Sequence, residues 1–278
     1  MSLARRRFLP VSIAAGSLAL LGGLVILLSR DSRPPSPTRP LVVLCAAALR
    51  PAMEATAADY EREDGGRVEF RFGNSAHALA AADLTRDGDL FLPADDSYVR
   101  AAGAKGLVAA VHPLARMRVV VLARPGNPRG IARFADLLDP GLKLGQANPD
   151  GAAVGKVTRD HLTRAGTWDA LRANTRVLHT TVTEAANAVQ LGSDDAALVW
   201  DAVAANYLGR AGETDLAVVR LPELDGAIGR VELAVLTTAA DPEAARRFAR
   251  FVASPAGGQR RFRAAGFTDL EPGPAGDP

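Results

Sequence analysis

The sequence predicts an α/β fold with mostly parallel strands, and three observations predict it. From Leu41 onward, short apolar runs alternate with segments whose apolar residues recur at helical spacing. Clusters of Gly, Pro, Asn and Asp separate those segments, as turns between strands and helices require. A hydrophobic fraction of 48% beside a charged fraction of 23% over 278 residues fits a soluble globular chain and argues against bulk disorder. The length allows a targeting segment plus one large or two medium domains. No repeat of fixed period is present.

Each element has its own local signal. Residues 41–47 form an apolar run that reads as the first strand. A helix follows over 51–60, with Leu49, Met53, Ala57 and Tyr60 at helical spacing and Pro51 in the first turn, where its missing N–H costs nothing. Asp64-Gly65-Gly66 turns the chain into a second strand at 68–72. Gly73-Asn74-Ser75 is a helix start signal, and small residues continue the helix to about Leu84. Asp87-Gly88 leads into a buried strand at 89–92. A strand at 119–123 is ended by Pro125-Gly126-Asn127-Pro128. Others are expected at 144–147, 177–179, 196–200, 218–221 and 233–237. The last helix, 242–252, gathers Ala245, Phe248, Ala249 and Val252 on one face and arginines on the other.

The N-terminus carries a different signal. Arg5, Arg6 and Arg7 precede an apolar stretch over 8–28, and polar residues follow it. That order is the layout of a membrane-targeting segment, and Arg5-Arg6-Arg7-Phe8-Leu9 resembles a twin-arginine export signal. A stretch of about twenty residues can span a bilayer, and no clear Ala-x-Ala site follows it, so a cleaved signal peptide and a retained anchor both stand. The positive-inside tendency puts the arginines in the cytoplasm and the remainder outside. Residues 1–32 are thus a signal peptide or membrane anchor, and the proline-rich 33–40 a tether.

Several function classes are poorly supported. The net charge of +2 and the scattered arginines form no basic stripe of the kind nucleic acid needs. Cys45 is the single cysteine, which leaves no intramolecular disulfide and no cysteine-based metal site. Within its apolar run it reads as a small buried hydrophobe. His77, His112, His161 and His179 show no metal-binding spacing, and His161 is expected on a solvated helix face. Gly73-Asn74-Ser75-Ala76-His77 comes near a nucleophile elbow, but His77 stands where the tight turn wants glycine. Asp83, Asp87, Asp89, Asp95 and Asp96 do not fit a calcium loop, and turn or capping duties explain most of them. No glycine motif for phosphates or dinucleotides occurs. No enzymatic chemistry, cofactor or metal is expected.

Between Leu41 and Phe267 short motifs occur at the strand-to-helix junctions, among them Ala46-Ala47-Ala48-Leu49, Phe72-Gly73-Asn74-Ser75, Asn148-Pro149-Asp150 with Val154-Gly155, and Leu198-Val199-Trp200. In order and spacing they resemble the periplasmic molybdate-binding proteins of ABC transporters. Ala46-Ala47-Ala48-Leu49 is similar to that family's first strand-to-helix motif, Ala-Ala-Ser-Leu. Phe72-Gly73-Asn74-Ser75, followed by Asp89-Leu90-Phe91-Leu92-Pro93-Ala94-Asp95, resembles the second block. Asn148-Pro149-Asp150 with Val154-Gly155, Gly166-Thr167-Trp168-Asp169, Leu198-Val199-Trp200 and Ala265-Gly266-Phe267 follow in the family's order. Trp168 reads more simply as a packing residue.

The resemblance implies a two-lobed, periplasmic-binding-protein-like fold with the ligand in a cleft between lobes. Lobe 1 would be 41–118 plus 233–278, and lobe 2 would be 119–232. It also implies capture of molybdate or tungstate outside the cytoplasm for an ABC transporter permease. Ala48, Val154 and Val182 would each offer a backbone N–H, and Ser75 a hydroxyl as well. Trp200 stands where the family has a ligand-contacting tyrosine, and Ala48 where it commonly has serine, so Asn74 becomes a candidate replacement donor and Arg50 a charge at the rim. An ordinary N-cap role for Ser75 and core packing for Trp200 remain the plainer readings. Those departures also keep open another small anion, or a membrane-tethered sensor ectodomain that delivers to no transporter.

Overall fold

The structure is a computed structural model that describes residues 39–64, 66–208 and 216–268. The arginine flank, the apolar stretch at 8–28 and most of the proline-rich tether lie outside the described residues. So does the end of lobe 1 at 269–278. Among the described residues, no helix is long and apolar enough to cross a membrane.

The first half of the fold follows from the alternation in the sequence. Strand β1 (Leu41–Ala46) passes through a 3-10 turn at Ala47–Leu49 into helix α1 (Arg50–Asp64). Strand β2 (Val68–Gly73), helix α2 (Ser75–Leu84), strand β3 (Leu90–Leu92) and helix α3 (Asp96–Ala104) follow. β1 pairs in parallel with β2 on one side and β3 on the other. β1 is buried throughout, the pattern of a strand covered on both faces. Cys45 is fully buried there, and burial pushes its thiol pKa far up, so it behaves as a hydrophobe.

Two long strands join this half to the second. β4 (Val108–Ala123) and β9 (Ile228–Leu236) run antiparallel to each other from Val108↔Leu236 to Arg118↔Ile228. Beyond Arg118, β4 changes partners and pairs through Val119–Ala123 with β7 (Ala196–Trp200) and, over part of that length, β8 (Ala217–Val219). β5 (Leu144–Ala147) then pairs in parallel with both β7 and β6 (Thr175–His179). Among the described residues the main sheet order is β2-β1-β3-β9-β4-β7-β5-β6. Helices α4 (Ala153–Arg164), α5 (Trp168–Asn174), α6 (Val182–Gln190) and α7 (Asp201–Ala204) belong to this second half.

Three differences from the sequence reading have physical causes. The strand expected at 119–123 begins at Val108, because Pro113 is tolerated beside a register shift between Pro113 and Ala115. β9 begins at Ile228 rather than 233, its polar start concealed by Gly229, Arg230 and Glu232. Helix α8 (Pro242–Ala253) buries Ala245, Phe248, Ala249 and Val252 as expected, but α9 (Gly258–Ala264) follows it. α9 is too short for a periodic signal, and Phe262 is its one large buried apolar side chain.

Candidate functional site

Strand ends that are distant in sequence deliver several helix starts to one chamber. The 3-10 turn after β1 opens at Ala46, which supplies no side-chain cap. α2 opens at Asn74, whose Oδ1 accepts from the His77 N–H at 2.8 Å. α4 opens at Ala152, again with no side-chain cap. α6 opens at Thr181, whose Oγ1 accepts from the Glu184 N–H at 3.2 Å. First-turn N–H groups have no carbonyl one turn back, so each start presents unpaired donors and a partial positive charge. Ala153 and Val154 are in that position in α4, as is Val182 in α6.

The chamber is lined by Ala46, Ala47, Ala48, Gly73, Asn74, Ser75, Ala94, Ala152, Ala153, Val154, Thr181, Val182 and Trp200. All six residues picked from the sequence are therefore brought together. Its cavity volume is only about 20 Å³, far below the ~300–1,000 Å³ of sites for drug-sized ligands. None of these lining residues carries a formal charge. The wall is mostly small and apolar, and its polar side chains are those of Asn74, Ser75, Thr181 and Trp200.

Three of the six have features that only the structure reveals. Ser75 is buried, and its Oγ accepts from the Ala94 N–H at 3.1 Å. One lone pair is thereby used, and the hydroxyl proton stays available to donate. The Ser75 partner is a backbone amide, which gives the near-elbow sequence none of a nucleophile's support. Trp200 is completely buried and also lines the chamber, so core packing and site lining coincide. A Cβ on Gly229 would come within 2.7 Å of the indole Cη2 and 3.0 Å of the Ala94 carbonyl, so the ring fits only over a glycine. Asn74 has both ends of its amide engaged, Oδ1 as the α2 cap and Nδ2 toward the Thr180 carbonyl at 3.4 Å.

A larger groove adjoins the chamber, sharing Ala47, Ala48, Gly73 and Thr181 with it. Arg50 belongs to this groove and not to the chamber wall. Its guanidinium lies 3.8 Å from the Phe72 ring centroid and pairs with Glu54 at 3.1 Å. The carboxylates at 83–96 do structural work: Asp95 caps α3, and Asp89 accepts from Val42, Ala240 and Arg39. His161, expected on a solvated face, is half-buried and bonds the Glu223 carbonyl through Nε2 at 2.8 Å. Sequence reasoning did not pick Ala46, Ala47, Gly73, Ala94, Ala152, Ala153 and Thr181 as site residues; Gly73, in the start of α2, and Thr181, in the Thr-x-x-Glu box opening α6, had local signals.

Helix starts from both halves of the sheet line this chamber, and comparison with known families gives the class. Residues 41–268 match the family described as bacterial extracellular solute-binding protein, and the chain belongs to it. It is accordingly a binding protein and not an enzyme. Among curated relatives, the chain is 30% identical over 259 residues to the molybdate-binding protein ModA of Mycobacterium tuberculosis, covering 90% of this chain and 95% of that one. Among solved structures, it resembles the periplasmic molybdate-binding protein of Azotobacter vinelandii, with a TM-score of 0.72, 20% identity, and coverage of 83% and 100%. The sulfate-binding protein SubI of Mycobacterium tuberculosis matches with a TM-score of 0.71, 20% identity, and coverage of 84% and 87%. At such identities the two structures speak for the fold alone.

Proposed function

We propose that this chain captures a tetrahedral oxyanion, molybdate or tungstate, in the chamber and presents it to the permease of an ABC transporter. The observation that carries the reading is the convergence of helix starts on a small chamber with no charged side chain in its wall. A dianion needs many inward donors, and helix N-termini supply them without formal charge. Each hydrogen bond to a charged group contributes about 1.5–3 kcal/mol net, so five or six suffice for micromolar or tighter binding. Donors with no matching acceptor also disfavour a protonated anion such as hydrogen phosphate, whose O–H would be left unpaired.

In this reading Ala48, Val154 and Val182 bind through backbone N–H groups, Ser75 adds its hydroxyl, and Trp200 closes the wall. Two lobes, 41–118 with 233–278 and 119–232, close on the ion. The expected boundary at 118/119 falls where β4 exchanges β9 for β7 and β8 as its partners, which suits a crossing point. Capture takes place outside the cytoplasm, with the N-terminal segment serving for export or as an anchor. A second ligand class, another small oxyanion such as sulfate, is favoured by one observation. The small wall residue Ala48 offers no hydroxyl where the molybdate-binding family commonly has one.

The test is thermal melting with molybdate, tungstate, sulfate and phosphate. An ion present at a hundred times its dissociation constant adds about 2.7 kcal/mol of stability, so the melting temperature should rise with molybdate or tungstate and least with phosphate. No rise with any of these ions would overturn the reading.

A further inference from the structure

We infer that Asn74 is a positioning residue: it forms a clasp between the two halves of the sheet that sets how long a captured ion stays. The inference rests on the chamber being the oxyanion site. Three contacts cross from α2 and α3 to the loops that open α4 and α6. The Ala76 N–H donates to the Gly151 carbonyl at 3.0 Å, just before the α4 start. The Asn74 Nδ2 donates to the Thr180 carbonyl at 3.4 Å, just before the α6 start. The Tyr98 hydroxyl reaches the same Gly151 carbonyl at 3.5 Å. Only the first is short, so the clasp is strong enough to orient and weak enough to open.

The surroundings of Asn74 hold its amide in one place. Its Oδ1 is held by the His77 N–H, which fixes the amide plane. A Cβ on Gly151 would stand 3.0 Å from Nδ2, so the amide lies directly against the Gly151 backbone. Thr180 is itself fixed, its N–H donating to Glu184 Oε2 at 3.0 Å while Thr181 accepts from the Glu184 N–H. One side chain thus caps α2, touches the approach to α4 and holds the approach to α6. Those are the segments whose N–H groups face the guest. Parting the halves to release an ion breaks these contacts together, so the clasp acts on the dissociation rate more than on the association rate.

The decisive variant is Asn74→Ser, which keeps an oxygen for the His77 N–H but is too short to reach Thr180. Molybdate is the probe, its release followed by tryptophan fluorescence during displacement with excess tungstate. Dissociation should quicken by about three- to tenfold, with association within about twofold of the parent. Gly151→Ala should quicken release as well, because its new Cβ presses on the Asn74 amide, and it should add little in the Asn74→Ser background. Hydrogen exchange of the ligand-free protein gives a second readout: Ala76 should lose protection in Asn74→Ser while Ala78, bonded to the Asn74 carbonyl, keeps its own. An unchanged dissociation rate overturns the inference, as does equal loss of protection at Ala76 and Ala78, which would signal fraying of α2. Should the parent bind no oxyanion, the proposed function fails, and the Ala76 exchange alone decides whether the clasp exists.

Discussion

The buried carboxylate of Asp59 and the proposed oxyanion chamber meet negative charge in opposite ways. At Asp59, inside α1, the carboxylate is part of the protein and 1% exposed. Arg261 meets it with two hydrogen bonds at 2.6 and 2.8 Å, Arg260 with another at 2.8 Å, and Arg62 from the same helix. In the chamber the negative charge would come and go with a guest, and the wall holds no cation. A permanent anion can be matched by formal positive charges, because the pair is never taken apart. A removable one is better met by fixed dipoles, since an arginine buried in an empty chamber would be left uncompensated. Backbone N–H groups carry no such penalty of full charge, and the helices hold them in place whether or not a guest is present.

The largest effect should come from breaking the permanent pair. Asp59→Ala unties α1 from α9 and should lower the unfolding free energy by about 1.5–3 kcal/mol in urea titrations. The arginines' partial exposure keeps the loss below that of a fully buried pair. The Arg261 hydrogen bonds, working against burial, hold the Asp59 pKa down at about 2. A depressed carboxylate pKa means the stabilisation is complete above the ordinary value near 3.8 and is lost as pH falls toward 2. Acid melting curves should therefore be shallower between those limits in Asp59→Asn than in the parent. Oxyanion affinity at neutral pH should be unaffected by either change, and a large loss of affinity would break the comparison.

The chamber itself should respond to smaller changes in the opposite manner, through affinity and not stability. Ser75→Ala removes a buried donor and should weaken molybdate binding by about 1–3 kcal/mol in calorimetric titration. Unchanged affinity would mean that the guest sits elsewhere. The smallest effect is expected from Ala48→Ser, which adds a hydroxyl at the wall and should tighten molybdate binding by about two- to tenfold. Weaker binding in that variant would show that the alanine is matched to a different ion.

Much of the framework was legible in the chain. β5 and β7 occupy the residues expected, and β1, β2 and α2 differ by a residue or so, because apolar runs and the Gly73-Asn74-Ser75 start are local signals. Strands without a clear apolar–polar alternation were not legible: Val108–Arg118 is interrupted by Pro113 and gains its identity from pairing with β9. The same holds for site residues. Ser75 and Asn74 sit in a helix start that can be recognised anywhere, whereas Ala152, Ala153 and Ala94 look like any other alanine. Their role would come from backbone groups and from position, and neither leaves a trace in side-chain chemistry.

By itself, the sequence determined the helix starts, the buried strands and the absence of a charged motif at the junctions between them. These follow from short-range rules: apolar period, capping residues and turn chemistry act within a few residues of one another. Only the tertiary structure decided that the starts after β1, β2, β5 and β6 meet, that Trp200 fits over Gly229, and that the Asn74 amide is occupied at both ends. Each of those is a contact between residues far apart in the chain, such as Asn74 with Thr180. Contacts of that kind form when the sheet halves come together across β4 and β9, a step that no local pattern encodes.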